Sequence, residues 1–164
     1  MLGFIYHLDT CTGCCACQVA CQDAHQLLDH EYFRKVVFVE QLQKYVSMSC
    51  NHCQEPGCVK KCPTGAMYIM DEVVLHNDQL CIGCGECITG CPYHAVSLSE
   101  KYGWAHKCDS CVDARNQGKL PVCVACCPTH SLEFTEIEER YDLHLSDGHT
   151  LPKLKIVGGP DESL

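Results

Sequence analysis

Cys11, Cys14, Cys17 and Cys21 follow the spacing C-x2-C-x2-C-x3-C, and three further quartets repeat the theme. Cys50, Cys53, Cys58 and Cys62 form C-x2-C-x4-C-x3-C-P. Cys81, Cys84, Cys87 and Cys91 form C-x2-C-x2-C-x3-C-P, and Cys108, Cys111, Cys123 and Cys127 form C-x2-C-x11-C-x3-C-P. These sets use all but Cys15 and Cys126 of the 18 cysteines. Thiolates so arranged either cross-link or bind soft metals. Cross-linking is the poorer reading, because thiols two to four residues apart seldom bridge without strain. The N-terminus, MLGFIYHLDTC, also has no basic leader, long apolar core or cleavage site. Metal chemistry and assembly in the cytoplasm are expected, with export beside a signal-bearing partner as a further route.

The run C-x2-C-x2-C-x3-C-P is the bacterial ferredoxin signature for [4Fe-4S] binding. Two-residue spacers turn three successive thiolates inward on one loop, and a short helix then carries the fourth to a neighbouring cluster. Pro63, Pro92 and Pro128 stop that helix after the fourth cysteine. Glycines 13, 57, 83 and 85 are expected to let backbone approach the inorganic sulfides. Four motifs predict four [4Fe-4S] clusters. Motifs one and three are compact and motifs two and four expanded, the pattern of a doubled two-cluster unit. Spacing is equally compatible with sequential pairing (one with two, three with four) and with nested pairing (one with four, two with three). A rival is a zinc ribbon built from Cys108, Cys111, Cys123 and Cys126. Against it, the C-x3-C-P ending at Cys127 repeats the other motifs, whereas Cys126 repeats nothing. Cys126 and Cys15 are read as small buried neighbours.

Short strands are predicted at 3–9, 34–40, 44–49, 66–70, 73–76 and 131–136, with a helix over 17–28 and shorter ones around 58–62 and 87–91. The result is an α+β architecture of tandem ferredoxin-like halves, short β hairpins and short helices built around the clusters. One compact unit over 1–164 is expected, with residues 136–164 as a tail. No apolar run reaches the length of a membrane helix. A formal net charge of −9 without a basic cluster argues against nucleic acid.

Beyond the cysteines, His52 and His106 are candidates to touch a sulfide or couple a proton to an electron, although every ligand position is already filled. They are read, like His7, His25, His30, His76 and His94, as ordinary histidines at the surface or behind a ligand. Tyr93 and Trp104 are expected to shield clusters from water. Lys107, Arg115 and Lys119 read as a solvated loop able to meet an acidic partner. Glu136, Glu138, Glu139 and Arg140 read as a charged helix start. No catalytic triad, phosphate loop or carboxylate pair stands out, so no catalytic residue and no small-molecule substrate are expected.

The stretches YVSMSCNHCQEPGCVKKCPTGAM (45–67), CIGCGECITGCPY (81–93), KCDSCVDARNQGKLPVCVACCPTHSLEF (107–134) and LPKLKIV (151–157) resemble the four-cluster electron-transfer (B) subunits of the dimethyl sulfoxide reductase type, in the molybdopterin oxidoreductase family. The resemblance implies nested pairing. One cluster would use Cys11, Cys14, Cys17 and Cys127, and a second Cys21, Cys108, Cys111 and Cys123. The third would use Cys50, Cys53, Cys58 and Cys91, and the fourth Cys62, Cys81, Cys84 and Cys87. It also implies a large molybdopterin-containing catalytic partner, a membrane-anchor partner on the quinol side, and one-electron relay between them. The alternatives are the electron subunit of a formate- or hydrogen-linked enzyme and a free-standing polyferredoxin.

Overall fold

In the computed structural model, which describes residues 2–40, 42–136, 143–144, 150–151 and 155–157, strand β1 (Leu2–His7) leads into the first cysteine loop and helix α1 (Ala16–Ala24). β2 (Arg34–Val39) and β3 (Lys44–Ser49) follow, then α2 (Gly57–Lys60), β4 (Met67–Met70) and β5 (Val73–His76). The chain continues through α3 (Glu86–Thr89), β6 (Ser97–Leu98), β7 (Ala105–His106), α4 (Val112–Asn116) and α5 (Val122–Ala125). It ends in β8 (Leu132–Glu136), β9 (Leu143–His144), β10 (Thr150–Leu151) and β11 (Lys155–Val157). The strands lie close to the predicted segments. Helix α1 ends early because Gln26 turns left-handed at φ 51°. Helices α4 and α5 and the β6–β7 ladder are additions to the predicted elements. Glu136 closes a strand rather than opening a helix; Glu138, Glu139 and Arg140 lie outside the described residues.

The topology brings the two ends of the described core together. β1 pairs antiparallel with β8, Phe4 opposite Phe134, and parallel with β11. β2–β3, β4–β5 and β6–β7 are antiparallel ladders. Two apolar cores result. The first gathers Phe4, Tyr6, Leu8, Val46, Val124 and Leu132 with Cys17 and Cys123. The second gathers Met67, Val74, Val96 and Ala105 with Cys58 and Cys87. Helices of four or five residues have no stability of their own. They exist here because their cysteine-bearing faces are buried, α1 against α5 and α2 against α3.

Glu31 joins the stretch before β2 to the stretch after β6. Its side chain is buried and accepts hydrogen bonds from the Leu28 N–H at 3.1 Å and the Glu100 N–H at 2.9 Å, with His106 Nε2 at 3.8 Å. Burial pushes its carboxyl up, but the two amides and His106 outweigh that and hold it below the ordinary carboxylate value. Glu31→Gln is therefore expected to cost about 1–2 kcal/mol near neutral pH. Because the folded-state pKa is depressed, Glu31's contribution is present above the ordinary carboxylate range and fades as pH falls through the folded value. Thermal unfolding of both proteins across pH 3–7 should show the difference shrinking on the acid side. A pH-independent difference would contradict this role.

Candidate metal centres

All four C-x2-C loops share one backbone device. The residue just before the second cysteine is left-handed in each: Gly13 (φ 72°), His52 (46°), Gly83 (68°) and Ser110 (61°). That turn folds the second thiol back beside the first. The third thiol of each motif then sits on a helix. In motifs one and three the helix starts after a left-handed residue, Cys15 (φ 60°) and Gly85 (φ 79°). In motifs two and four it starts after an extended proline, Pro56 and Pro121, two residues before Cys58 and Cys123. The compact and expanded motifs thus repeat in backbone as well as in spacing.

The thiols converge from motifs far apart in the sequence. One cavity is lined by Cys11, Cys14 and Cys17 of motif one, with the spare Cys15 beside them, together with Cys127 of motif four. Another is lined by Cys62 of motif two with Cys81, Cys84 and Cys87 of motif three. Two further groups follow from mutual electrostatics. Burial pushes the Cys21 thiol up, and the charges of Cys108, Cys123 and Cys111 push it further. Burial, with Cys50, Cys91 and Cys53 around it, pushes Cys58 up to about 11 against the opposing pull of Lys107. Burial and Cys50 raise Cys108 to about 12. Cys17 feels Cys123, and Cys108 feels Cys50, so the groups of Cys17, Cys21 and Cys58 adjoin one another in series.

Such crowding fits a metal centre. Crowded thiols, several of them buried and raised by their neighbours' charge, ionise together only when cationic metal neutralises them. Donors already point at the sulfurs. The Met67 N–H lies 3.4 Å from Cys62 Sγ, that of Ala95 3.4 Å from Cys91 Sγ, and that of Ser131 3.2 Å from Cys127 Sγ. Thr64 and Thr129, each two residues past its cysteine, place hydroxyls 3.7 Å from Cys62 and Cys127. At both cysteines burial acts upward, but these donors outweigh it and lower the thiol pKa. N–H···S contacts of this kind are what tune cluster potentials.

The two spare cysteines differ in kind. Cys126 packs on the first apolar core, points its thiol at the Cys123 carbonyl (3.6 Å), and is pushed up to about 11 by burial and the charges of Cys17, Cys123 and Cys127. Cys15 occupies the place of Gly85 in the repeat, at a left-handed φ costly for any residue with a Cβ. Cys15→Gly is expected to relieve about 1 kcal/mol of strain, part of which is lost to unfolded-chain entropy, and to leave bound iron unchanged. Iron analysis with thermal unfolding checks both, and lost iron would make Cys15 a ligand.

Several side chains stand elsewhere than their sequence suggests. Lys107 is buried rather than solvated, its ammonium donating to the carbonyls of Val74 and Cys108. Arg115 donates to the Ser110 carbonyl at 2.8 Å and lies over Phe134; Lys119 remains exposed. Trp104 stacks on Tyr102 at 4.8 Å and lines an open cleft, not either cysteine cavity. His52 is buried and accepts from the Val74 N–H at 3.2 Å, anchoring β5 to the second motif. His106 is half-buried, edge-on to Phe33 and beside Glu31. His25 is closer to a ligand than an ordinary surface histidine: its Nε2 lies 3.8 Å from Cys111 Sγ and 3.7 Å from Asp109. The available signal is its place four residues after Cys21, on the same helical face.

The 4Fe-4S dicluster domain matches residues 41–137. The protein belongs to the 4Fe-4S dicluster domain family. It is 37% identical over 157 residues to the B subunit of anaerobic dimethyl sulfoxide reductase from Escherichia coli K12, covering 87% of this sequence and 77% of that one. It is 38% identical over 141 residues to the thiosulfate reductase electron transfer subunit of Salmonella typhi, covering 79% and 72%. The B subunit of polysulfide reductase from Wolinella succinogenes is 35% identical over 148 residues, covering 84% and 77%. Membership of a 4Fe-4S family makes iron–sulfur clusters the cofactor, and the zinc-ribbon reading of motif four loses its ground.

Proposed function

We propose that this 4Fe-4S dicluster protein is the non-catalytic electron-transfer subunit of a reductase complex, holding four [4Fe-4S] clusters in two ferredoxin-like halves. The outer half joins motifs one and four; its clusters use Cys11, Cys14, Cys17 and Cys127, and Cys21, Cys108, Cys111 and Cys123. The inner half joins motifs two and three; its clusters use Cys50, Cys53, Cys58 and Cys91, and Cys62, Cys81, Cys84 and Cys87. The observation that carries this reading is the pair of cavities in which the first three motif thiols, joined in one of them by Cys15, face a single thiol from another motif. The β1–β8 pairing, which closes the last motif onto the first, supports it as well.

When bound, such clusters accept and release single electrons. The protein's own part is to fix their order and polarity. Cys17 and Cys21 lie on one helix and Cys123 and Cys127 flank one helical turn, so each end of the outer half ties two sites rigidly together. Cys50 beside Cys108 links the outer half to the inner one. With α2 packed on α3 to bring the two inner sites together, a chain of adjoining sites results, suited to carrying electrons from one partner to another. A molybdopterin-containing catalytic subunit at one end, and a membrane-anchored quinol-side subunit at the other, fit the family resemblance. Among the described residues no helix is long and apolar enough to cross a membrane, so attachment would run through a partner.

Anaerobic affinity purification of the protein from native membranes tests the assignment. A large molybdenum-containing subunit recovered in stable stoichiometry is expected. A protein that purifies alone and monodisperse, with its clusters intact, would instead be a diffusible polyferredoxin.

A further inference from the structure

Arg34 is the most completely buried charge in the described structure, at 1% exposure, and no carboxylate pairs with it among the described residues. Its Nη1 donates to Ser47 Oγ at 3.0 Å and to the Ser47 carbonyl at 3.3 Å, its Nη2 to Ser49 Oγ at 2.9 Å, and its guanidinium lies 4.8 Å over the Phe4 ring. Strand pairing sets this up, since Arg34 stands opposite Ser49 and Val36 opposite Ser47 across the β2–β3 ladder. Ser47 is buried too, and its Oγ lies 3.4 Å from Cys17 Sγ. Ser47 Oγ accepts from Arg34, and toward a metal-bound Cys17 thiolate, which carries no proton, the Ser47 hydroxyl is the donor. The guanidinium therefore polarises an O–H that points at a cluster ligand.

A buried cation without a counter-ion is costly. Hydroxyls, a carbonyl and an aromatic face ease the cost but carry no net charge. The compensating charge here comes from thiolates: burial disfavours the charged guanidinium, and the negative charges of Cys123, Cys108, Cys17 and Cys21 outweigh that. Those cysteines belong to both sites of the outer half. Each electron gained by a cluster–thiolate unit adds one negative charge beside this fixed positive one, in a medium that screens poorly.

We propose that Arg34 and Ser47 are potential-setting residues: Arg34 raises the reduction potential of both outer-half clusters by its charge, and Ser47 adds a hydrogen bond to the Cys17 cluster alone. The inference rests on the cluster assignment above.

The test is an anaerobic redox titration of the intact complex or the loaded full-length protein, followed by electron paramagnetic resonance, after iron and acid-labile sulfide have been measured. Each signal is assigned by its loss in Cys14→Ser, for the first outer cluster, or Cys108→Ser, for the second. Arg34→Met is expected to weaken reduction of both outer clusters about tenfold or more, which for one electron is a potential about 59 mV more negative. The two inner clusters should not move. Arg34→Lys, which keeps the charge, should recover most of the shift. Ser47→Ala should lower the Cys17 cluster alone and by less. Should Arg34→Met fail to load, Ser47→Ala decides by itself. Unmoved potentials in loaded variants, or an equal shift in all four clusters, would overturn the proposal. A wild-type protein without iron and sulfide would instead remove the cluster assignment.

Discussion

Cys127→Ser is expected to cost the protein one cluster, and Cys14→Ser the same one. Each single variant should lose up to about a quarter of its iron and sulfide, or a single iron if serine leaves a three-iron remnant. The informative variant is the double. With Cys127 completing the site of Cys11, Cys14 and Cys17, as their shared cavity suggests, removing a second ligand from a lost cluster costs nothing more. Under sequential pairing, Cys127 would serve the Cys81 motif, and the double variant would lose two clusters. Cys126→Ser, one residue away, is the control. Its thiol faces a carbonyl from a position packed on the first core, so the change should cost about 1 kcal/mol or less and leave iron intact. Iron, sulfide and spin integration of the reduced protein distinguish these outcomes.

Gly90→Ala should strike the other half of the molecule. A Cβ at Gly90 would meet the Gly57 carbonyl oxygen at 2.7 Å and its carbonyl carbon at 2.9 Å; one at Gly57 would meet the Gly90 oxygen at 2.3 Å. Both partners are backbone, so no side chain can swing aside. Helices α2 and α3 must part, and they carry Cys58 and Cys87, with Cys62 and Cys91 just beyond. Overpacking of this kind costs about 1–3 kcal/mol before any metal is considered. Under the proposed assignment both inner-half sites draw thiols from these two helices or the residues just after them, so their clusters should be lost or labile, and iron should fall by up to about half. Gly65→Ala is the comparison: φ is +71° there but nothing lies within 4 Å. Its cost should be the backbone strain alone, about 1–2 kcal/mol, with full iron. Cluster content and thermal unfolding measure both, and a Gly90→Ala protein with full iron would mean the helices can separate without harm.

The four quartets, their internal repeat and most strands are legible in the sequence because thiol spacing and β-branched runs are local signals. Pro63, Pro92 and Pro128 stand near the helix ends, but α2, α3 and α5 stop at Lys60, Thr89 and Ala125, before the fourth cysteine rather than after it. What escapes is set by tertiary contact. Gly57 reads in the sequence as a close approach to a sulfide; its backbone also meets that of Gly90, a residue with no local signal at all. The left-handed turn before each second cysteine is visible at Gly13 and Gly83 and hidden at His52 and Ser110, where residues with a Cβ adopt it. Helices α4 and α5 are too short to carry a 3.6-residue period. Lys107 looks like a solvated charge, and nothing local in the sequence marks Arg34. Only the fold reveals that both are buried beside the cysteine sites, where a charge has most effect.

The central claim is that sixteen of these thiols hold four iron–sulfur clusters, and metal and sulfide analysis of the anaerobically purified protein tests it most directly. About sixteen irons and sixteen acid-labile sulfides per molecule are expected, from four cubane clusters. Zinc in the absence of acid-labile sulfide would contradict it.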